Sequence, residues 1–278
     1  MGNYIYLSGM KIIFLNTWFG KVRKPLTEFL LEHAPTTDVF CFSEISAGEA
    51  GLSFGSVTGA QPVGKKFEPL MDSCASDYFF QLKNILVDFD GQFDDSGFIE
   101  VPGSKKFPVG LAMFIKKDLK VENSGIAEIN NGAADDPEGY ERIMQYACVS
   151  DGKKNIWINN FHGMSHPFNK LDSEGRLNQS KNILSQLNKE NGPIILGGDF
   201  NLFPDTESIR MFEKAGYKNL IKEYEVSDTR GELNFSQWPG SKQYFADYVF
   251  VSPEISVKNF EVPQISISDH LPLILEIE

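Results

Sequence analysis

The sequence is poor in cysteine and has no long apolar run, and both shortages narrow the possible functions. Its 278 residues include three cysteines, Cys41, Cys74 and Cys148. This odd number at wide spacing indicates neither a disulfide framework nor a zinc site. Cys41 and Cys148 lie within apolar runs, so we expect them to be core residues in a reducing compartment, which favours the cytoplasm. We also expect no transmembrane segment and no signal peptide, because the apolar runs are too short and the N-terminal pattern does not fit.

Arginine is also scarce, and the overall charge is negative. Arginine supplies five of the 26 basic residues, and the net charge is −12. A strongly acidic protein gains little from counterion release on DNA, so tight non-specific binding to nucleic acid is not indicated. A phosphate substrate remains compatible with this charge, because a bound divalent cation reverses the local field.

Short apolar segments alternate with a few helical ones along the chain. The strand-like segments are nearly continuous in apolar character, which is typical of strands buried on both faces. No internal repeat and no linker rich in Gly, Ser or Pro interrupts them. The sequence therefore predicts one domain over residues 1–278, with two sheets packed face to face and helices on the outside. Residues 1–9 are interpreted either as an N-terminal extension or as an added strand segment.

The predicted elements follow from these patterns. The strands are expected at 11–18, 38–45, 109–117, 142–150, 155–163, 193–198, 244–252, 255–262 and 271–278, and the helices at 26–34, 76–86, 172–192 and 206–215. The polar stretches are expected to be long loops, at 46–68, 91–108, 123–140 and 225–243. Loops of that length in a compact domain are usually functional or mobile.

Polar or titratable residues stand beside the apolar segments, mostly where strands are predicted to end. They are Asn16, Glu44, His162, Asp199, Asn201, Asp247, Asp269 and His270. Taken singly, each is explained by a turn, a cap or a solvated strand end. Taken together they indicate a site, because two of the four histidines fall at strand ends beside carboxylates, and glycines flank His162 (Gly163) and Asp199 (Gly197–Gly198). Glycine there lets the backbone bend sharply and lets a ligand approach closely.

Six short motifs carry a resemblance to a known family. They are LNTW (15–18), FSEI (42–45), NNFHG (159–163), GGDFN (197–201), ADYVFVS (246–252) and SDHLP (268–272). No single motif is decisive, but together, in the family's order, they make the chain resemble the endonuclease/exonuclease/phosphatase superfamily with its DNase I-like fold. The resemblance implies a four-layer α/β sandwich of two mostly antiparallel β-sheets, with the active site at one end of the sheets.

The resemblance also implies a metal-dependent activity. Members of the family use a divalent cation, usually Mg²⁺ with Mn²⁺ as an alternative, to polarise a phosphate that water attacks in line. At the matching positions Glu44 would be the principal metal ligand, because hard cations prefer carboxylate oxygen. Asn16 would help to hold the metal or the phosphate, and Asp269 would be a further metal ligand, directly or through water.

The remaining matched residues would act on the water and the phosphate. Asp199 would orient or deprotonate the attacking water, and Asn201 would donate to that water or to a phosphate oxygen. His270 would donate to the phosphate, with Asp247 holding its other ring nitrogen and favouring the imidazolium. His162 would be a second phosphate donor.

Two further residues are candidates for substrate contact, and each has a structural alternative. Arg176 matches a family tendency for arginine in its helix; alternatively it forms a buried ion pair or binds strand-end carbonyls. Trp238 resembles the aromatic residue that lines the substrate groove of repair nucleases and could stack on a base; alternatively it packs at the base of its loop. We expect a monomeric phosphodiesterase, with a nuclease favoured over a lipid or small-molecule phosphoesterase such as a sphingomyelinase. A non-catalytic binding scaffold is the third interpretation.

Overall fold

Two β-sheets form the centre of the protein. The computed structural model describes residues 9–51, 53–54, 68, 72–100, 106–130, 136, 141–150, 155–237 and 243–278. Within these residues the strands are β1 (Met10–Asn16), β2 (Val39–Ser46), β3 (Ser53–Phe54), β4 (Cys74–Ala75), β5 (Phe89–Glu100), β6 (Lys106–Lys116), β7 (Lys120–Glu128), β8 (Ile143–Ser150), β9 (Asn155–His162), β10 (Ile194–Asp199), β11 (Lys218–Asn219), β12 (Asp247–Val251), β13 (Val257–Glu261) and β14 (Leu273–Ile277).

The helices of the described residues lie between these strands in the chain. They are α1 (Arg23–His33), α2 (Tyr78–Ile85), α3 (Glu174–Leu187), α4 (Glu207–Lys214), α5 (Leu220–Glu223) and α6 (Glu232–Gln237). Short 3₁₀ turns follow β1 at Trp18–Gly20 and follow α1 at Ala34–Thr36. None of these helices is both long enough and apolar enough to cross a membrane.

The strand order confirms the predicted mostly antiparallel sheets. In the described residues, sheet 1 has the order β13-β14-β1-β2-β6-β5 and sheet 2 has the order β11-β12-β10-β9-β8-β7, while β3 and β4 form a separate pair. Each large sheet contains one parallel pair, β1 with β2 and β9 with β10, and its other neighbours are antiparallel. The two parallel pairs lie centrally in their sheets.

The sheets pack face to face, and helices cover their outer faces. Along β2 the side chains alternate, so that Cys41 belongs to the core that includes sheet 2 whereas Phe40 and Phe42 belong to the cluster beneath α1 and α2. On sheet 2, Phe212 of α4 stacks near Phe250 of β12, with ring centroids 5.0 Å apart. This alternation of a strand between two apolar environments gives the four layers of the α/β sandwich.

Two of the predicted loops are wrong in large part, for a common reason. The stretch 91–108 lies mainly in β5 and β6, and the stretch 123–140 begins with the greater part of β7. β5 and β7 are the edge strands of their sheets. Edge strands face solvent on one side and tolerate polar residues, so they lack the apolar runs that reveal central strands. The stretch 225–243 likewise contains α6, and most of 46–68 lies outside the described residues.

Candidate active site

Strand register brings three titratable residues side by side on sheet 2. Asp199 at the end of β10 pairs with Asp247 on β12 and with His162 on β9. Directly paired residues on neighbouring strands point to the same face of a sheet. Gly197, two residues before Asp199, lies against the ring of Phe14 from β1, so this shared face is the one directed at sheet 1. The three side chains therefore project between the two sheets at one end.

Asn16 connects this group to sheet 1. Its Nδ2 donates to Asp199 Oδ2 at 3.1 Å and to Glu44 Oε1 at 3.0 Å, and its Oδ1 accepts from the backbone N–H of Trp18 at 3.0 Å. Both amide hydrogens of Asn16 are therefore used to hold two carboxylates in place. One lone pair of Oδ1 remains for the predicted metal contact, whereas no Nδ2 hydrogen is left for the alternative contact with a phosphate oxygen.

Glu44 reaches the site through a β-bulge rather than from a strand end. Ser43 pairs with Asn16, so simple alternation would turn Glu44 towards the helix-covered face of sheet 1. The register of β2 with β6 shifts between Phe42 and Ile45, and Glu44 has a positive φ of 54°. A bulge of this kind re-aims one side chain. The prediction that Glu44 ends its strand is therefore wrong, since β2 continues to Ser46.

His270 lies between two carboxylates. Its Nδ1 is 2.9 Å from both oxygens of Asp247, and its Nε2 is 3.6 Å from Asp199 Oδ2. The Nε2 of His162 approaches the same Asp199 oxygen at 3.5 Å. Asp199 Oδ2 is thus the point on which Asn16 and both histidines converge, while its Oδ1 accepts the backbone N–H of Asn201 at 2.8 Å.

The model of the endonuclease/exonuclease/phosphatase family matches residues 13–270, which include every residue of this cluster. The chain belongs to that family. Its members are phosphoesterase hydrolases. No curated protein sequence matches the chain significantly.

Solved structures share the endonuclease/exonuclease/phosphatase fold over nearly the whole chain. A family protein from Bacteroides vulgatus is 18% identical, with a TM-score of 0.68 over 98% of this chain and 99% of its own. The mannosyl-6-phosphatase of Bacteroides thetaiotaomicron is 16% identical, with a TM-score of 0.65 over 97% of this chain and 99% of its own. The human Nocturnin catalytic domain with bound sulfate is 16% identical, with a TM-score of 0.68 over 97% and 93%. At these identities the likeness shows the fold.

The SDHLP segment (268–272) makes a second set of contacts. Ser268 Oγ donates to the backbone oxygen of Asn16 at 2.7 Å, which ties this segment to the end of β1. Arg230 forms an isolated bridge with His270 and donates from Nη2 to Asp269 Oδ2 at 2.9 Å. Sequence reasoning missed Arg230, because it lies outside the six motifs and reaches the site through tertiary contacts of its segment, such as the hydrogen bond from Gly231 N–H to the backbone oxygen of Asp269.

Charges within the site set the protonation of its histidines and of Asp199. Burial and Arg230 lower the pKa of His270, but Asp247, Asp199 and Asp269 outweigh them, so its pKa is raised and the imidazolium is favoured. Burial would raise the pKa of Asp199, but His270 and the other surrounding cations hold that pKa well below its usual range. Burial, only partly opposed by Asp199, lowers the pKa of His162 to about 3, so His162 is neutral at pH 7.

The acidic side of the site suits a hard cation. Burial and then the charge of Asp269 raise the pKa of Glu44 to about 7. Among the described residues, the one hydrogen bond that this carboxylate receives comes from the neutral amide of Asn16. A divalent cation, which prefers oxygen ligands, would relieve the repulsion between Glu44 and Asp269, so these two carboxylates fit such an ion. A second group, Asp199, Asp247 and His270, has ligand atoms within 4.8 Å of one another and could also hold a metal.

The side chains of two predicted site residues, Arg176 and Asn201, form hydrogen bonds with other parts of the protein. Arg176 is 1% exposed, and its guanidinium donates to the backbone oxygens of Met164, Ser165 and Leu171 at 2.5–3.2 Å. The structure therefore favours its structural alternative over substrate contact. The side-chain Nδ2 of Asn201 donates to the backbone oxygen of Gly163 at 3.1 Å, and its Oδ1 accepts from Lys170 Nζ. Trp238 lies outside the described residues.

Proposed function

We propose that this protein is a divalent-metal-dependent phosphoesterase that hydrolyses its substrate by in-line attack of water. The observation that carries the proposal is that Asp199, held by Asn16, and His270, held by Asp247, approach to 3.6 Å beside the carboxylate of Glu44, which Asp269 repels. Phosphate ester hydrolysis needs an oriented water, donors for the developing charge and a cation, and these groups supply or bind each of them.

Glu44 and Asp269 would hold the cation. When bound, it would polarise the phosphoryl oxygens and offset the charge that develops during attack. We place it there rather than among Asp199, Asp247 and His270, because both oxygens of Asp247 are already hydrogen-bonded to His270 Nδ1, whereas Arg230 binds one oxygen of Asp269 and Asn16 binds one oxygen of Glu44. Mg²⁺ fits this oxygen-rich side and usually keeps several of its waters, with Mn²⁺ as the alternative.

Asp199 orients the attacking water. Its pKa lies well below the usual range, so it is anionic at neutral pH and a weak proton acceptor in the ground state. A general base works best with a pKa near the working pH. Asp199 therefore accepts a hydrogen bond from the water first, and takes its proton only as the water becomes acidic during attack.

His270 stabilises the negative charge on the phosphoryl group. Asp247 accepts from its Nδ1, which leaves the Nε2–H directed towards Asp199 and available to a phosphate oxygen. An imidazolium held in this way gives a charge-assisted hydrogen bond, which is roughly twice as strong as a neutral one. His162, neutral and on the other side of Asp199, is proposed as a second donor.

The test is turnover on a panel of esters with Mg²⁺ or Mn²⁺, with and without EDTA. The panel contains p-nitrophenyl phosphate, bis-p-nitrophenyl phosphate, plasmid DNA, an abasic-site duplex and sphingomyelin. Asp199→Asn should reduce the rate by about 10²–10⁴-fold. The matched control Asp205→Asn makes the same charge change at an exposed position six residues away and should keep the wild-type rate.

The preferred ester would identify the branch of the family. Turnover on DNA would support the nuclease that the sequence favours, whereas turnover on sphingomyelin or a monoester would replace it. Turnover that persists in EDTA or in Asp199→Asn would contradict the proposed mechanism. A folded protein that binds Mg²⁺ and turns over none of the panel would favour the binding scaffold.

A further inference from the structure

Lys170 is a buried lysine in an exposed segment next to the proposed active site. It lies between β9 and α3, where residues 167–169 and 171–172 are all exposed. Lys170 itself is 4% exposed, which is close to the 3% of His270. The chain thus turns one side chain of this segment inward, and that side chain carries a charge.

The inward position is costly. Taking an ammonium group out of water is strongly unfavourable unless it is paired. Lys170 also has a positive φ of 58°, a backbone conformation that non-glycine residues rarely adopt. Because the neighbouring residues are exposed, an outward orientation would have left the Lys170 side chain in solvent. The structure therefore places the ammonium at the site in spite of two unfavourable terms.

The protein itself satisfies only part of the ammonium. Nζ contacts the side-chain oxygen of Asn201, which is its one hydrogen-bond acceptor among the described residues. An ammonium has three N–H donors. Within the same described part of the chain, no carboxylate oxygen lies within 4.0 Å of Nζ. Two donors are thus left for a ligand or for water.

The surroundings of Lys170 are those of the phosphate site. Burial and the like charge of Arg230 lower the pKa of Lys170 to about 8, against the attraction of Asp199 and Asp247, so it stays mainly protonated at pH 7. Asn201, which it contacts, donates its backbone N–H to Asp199 Oδ1. One residue therefore joins the ammonium to the carboxylate that is proposed to orient the water.

We propose that Lys170 binds the phosphoryl group of the substrate, donating from Nζ to a non-bridging oxygen while Asn201 holds it in place. Sequence reasoning gave the donor role to Asn201, one of whose two Nδ2 hydrogens is bound to the backbone oxygen of Gly163 and whose Oδ1 accepts from Lys170. Lys170 adds a charged donor beside it. This inference rests on the proposed function, because it assigns a new contact to the same site.

The test is the affinity for inorganic phosphate, measured by calorimetry with and without Mg²⁺ on four variants. Lys170→Met removes the charge and the donors. Lys170→Gln removes the charge but keeps a donor for Asn201, and Lys170→Arg keeps both. The matched control is Lys181→Met, which removes an exposed lysine from α3. Thermal unfolding of each variant shows whether the fold is intact.

We expect the Met and Gln variants to bind phosphate about 10- to 100-fold more weakly, as for a lost charge-assisted hydrogen bond. The Arg variant should retain most of the affinity, and the control all of it. Wild-type affinity in Lys170→Gln would overturn the proposal, because it would show that Lys170 only positions Asn201. The absence of phosphate binding in the wild type would overturn it as well.

This readout separates the inference from the proposed hydrolase. If the Lys170 variants lose phosphate affinity but the wild type turns over no ester, the phosphate contact stands and the hydrolase fails. If esters are hydrolysed and Lys170→Gln binds phosphate like the wild type, the hydrolase stands and the contact fails.

Discussion

Glu190 offers a quantitative test of the electrostatics, at a position remote from the proposed chemistry. It follows α3 and is 8% exposed. Its Oε2 accepts from Asn159 Nδ2 at 3.0 Å, while its Oε1 and Asn159 Oδ1 are both buried without a partner in the described part of the chain. If the carboxyl is protonated, we expect its Oε1–H to donate to the unpartnered Asn159 Oδ1, which would give the two side chains a pair of hydrogen bonds. Asn159 belongs to β9, the strand that ends at His162.

The pKa of Glu190 sets the size of the effect. Burial raises this pKa from 4.5 to about 7, against the opposing hydrogen bond from Asn159. A group whose pKa is raised on folding stabilises the protein fully below its unfolded pKa, and loses that contribution as the pH rises through its folded pKa. The difference between the unfolded pKa of 4.5 and the folded pKa of about 7 corresponds to roughly 3 kcal/mol in the free energy of unfolding, at about 1.4 kcal/mol per pKa unit.

Glu190→Gln removes the titration and keeps both hydrogen bonds, since glutamine donates and accepts at the same positions. We expect the variant and the wild type to have similar free energies of unfolding at pH 4–5. The variant should become more stable than the wild type by roughly 3 kcal/mol at pH 9. Urea unfolding of both proteins at several pH values between these limits measures the difference.

The matched control is Glu223→Gln, which makes the same change at an exposed position. The free energy of unfolding of this control should stay close to that of the wild type at every pH. A difference between Glu190→Gln and the wild type that does not change with pH would refute the reasoning. It would mean that Glu190 has the same pKa in the folded and in the unfolded protein.

Three other predictions concern the site and its support. Asp247→Asn should lower turnover by about 10²–10⁴-fold and move the alkaline limb of the pH–rate profile to lower pH, because the pKa of His270 loses its main anionic support. Mg²⁺ affinity, measured by calorimetry, should fall as the pH drops through about 7, because a protonated Glu44 must release its proton to bind the ion. Glu44→Gln should bind Mg²⁺ more weakly and without this pH dependence; a variant that still shows it would exclude Glu44 as its source. Arg176→Met should lower the free energy of unfolding by about 3 kcal/mol or more in urea, because several buried carbonyls lose their donor; a loss under 1 kcal/mol would show that water replaces it.

The central strands and their polar ends were readable from the sequence, because burial on both faces leaves a continuous apolar run. β10 is the clearest case, since an apolar segment leads directly to Asp199. β5 and β7 were not readable, because an edge strand needs apolar residues on one face only and their polar residues imitate a loop. The local sequence pattern thus identifies strands that are buried in the core and misses strands that are exposed to solvent.

The candidate site divides in the same way. Residues in short motifs, such as Asp199 and His270, could be listed from the sequence. The orientation of Glu44 could not, because it depends on a bulge whose register is set by the partner strand β6. Arg230 and Lys170 could not either, since each stands in a polar stretch where a solvated surface residue is the ordinary interpretation. Their burial is a property of the tertiary structure alone.

The geometry of the site depends on how closely the two sheets approach, and the core sets that distance. Phe14 lies two residues before Asn16 on β1, and Gly197 lies two residues before Asp199 on β10. A Cβ at Gly197 would stand 2.7 Å from the Phe14 ring, so only glycine allows this approach. The same two strands carry the 3.1 Å hydrogen bond from Asn16 to Asp199 one step further on. The contact between Phe14 and Gly197 therefore sets the distance between the sheets at which Asn16 can hydrogen-bond to Asp199. Close packing of the core at this point holds that distance.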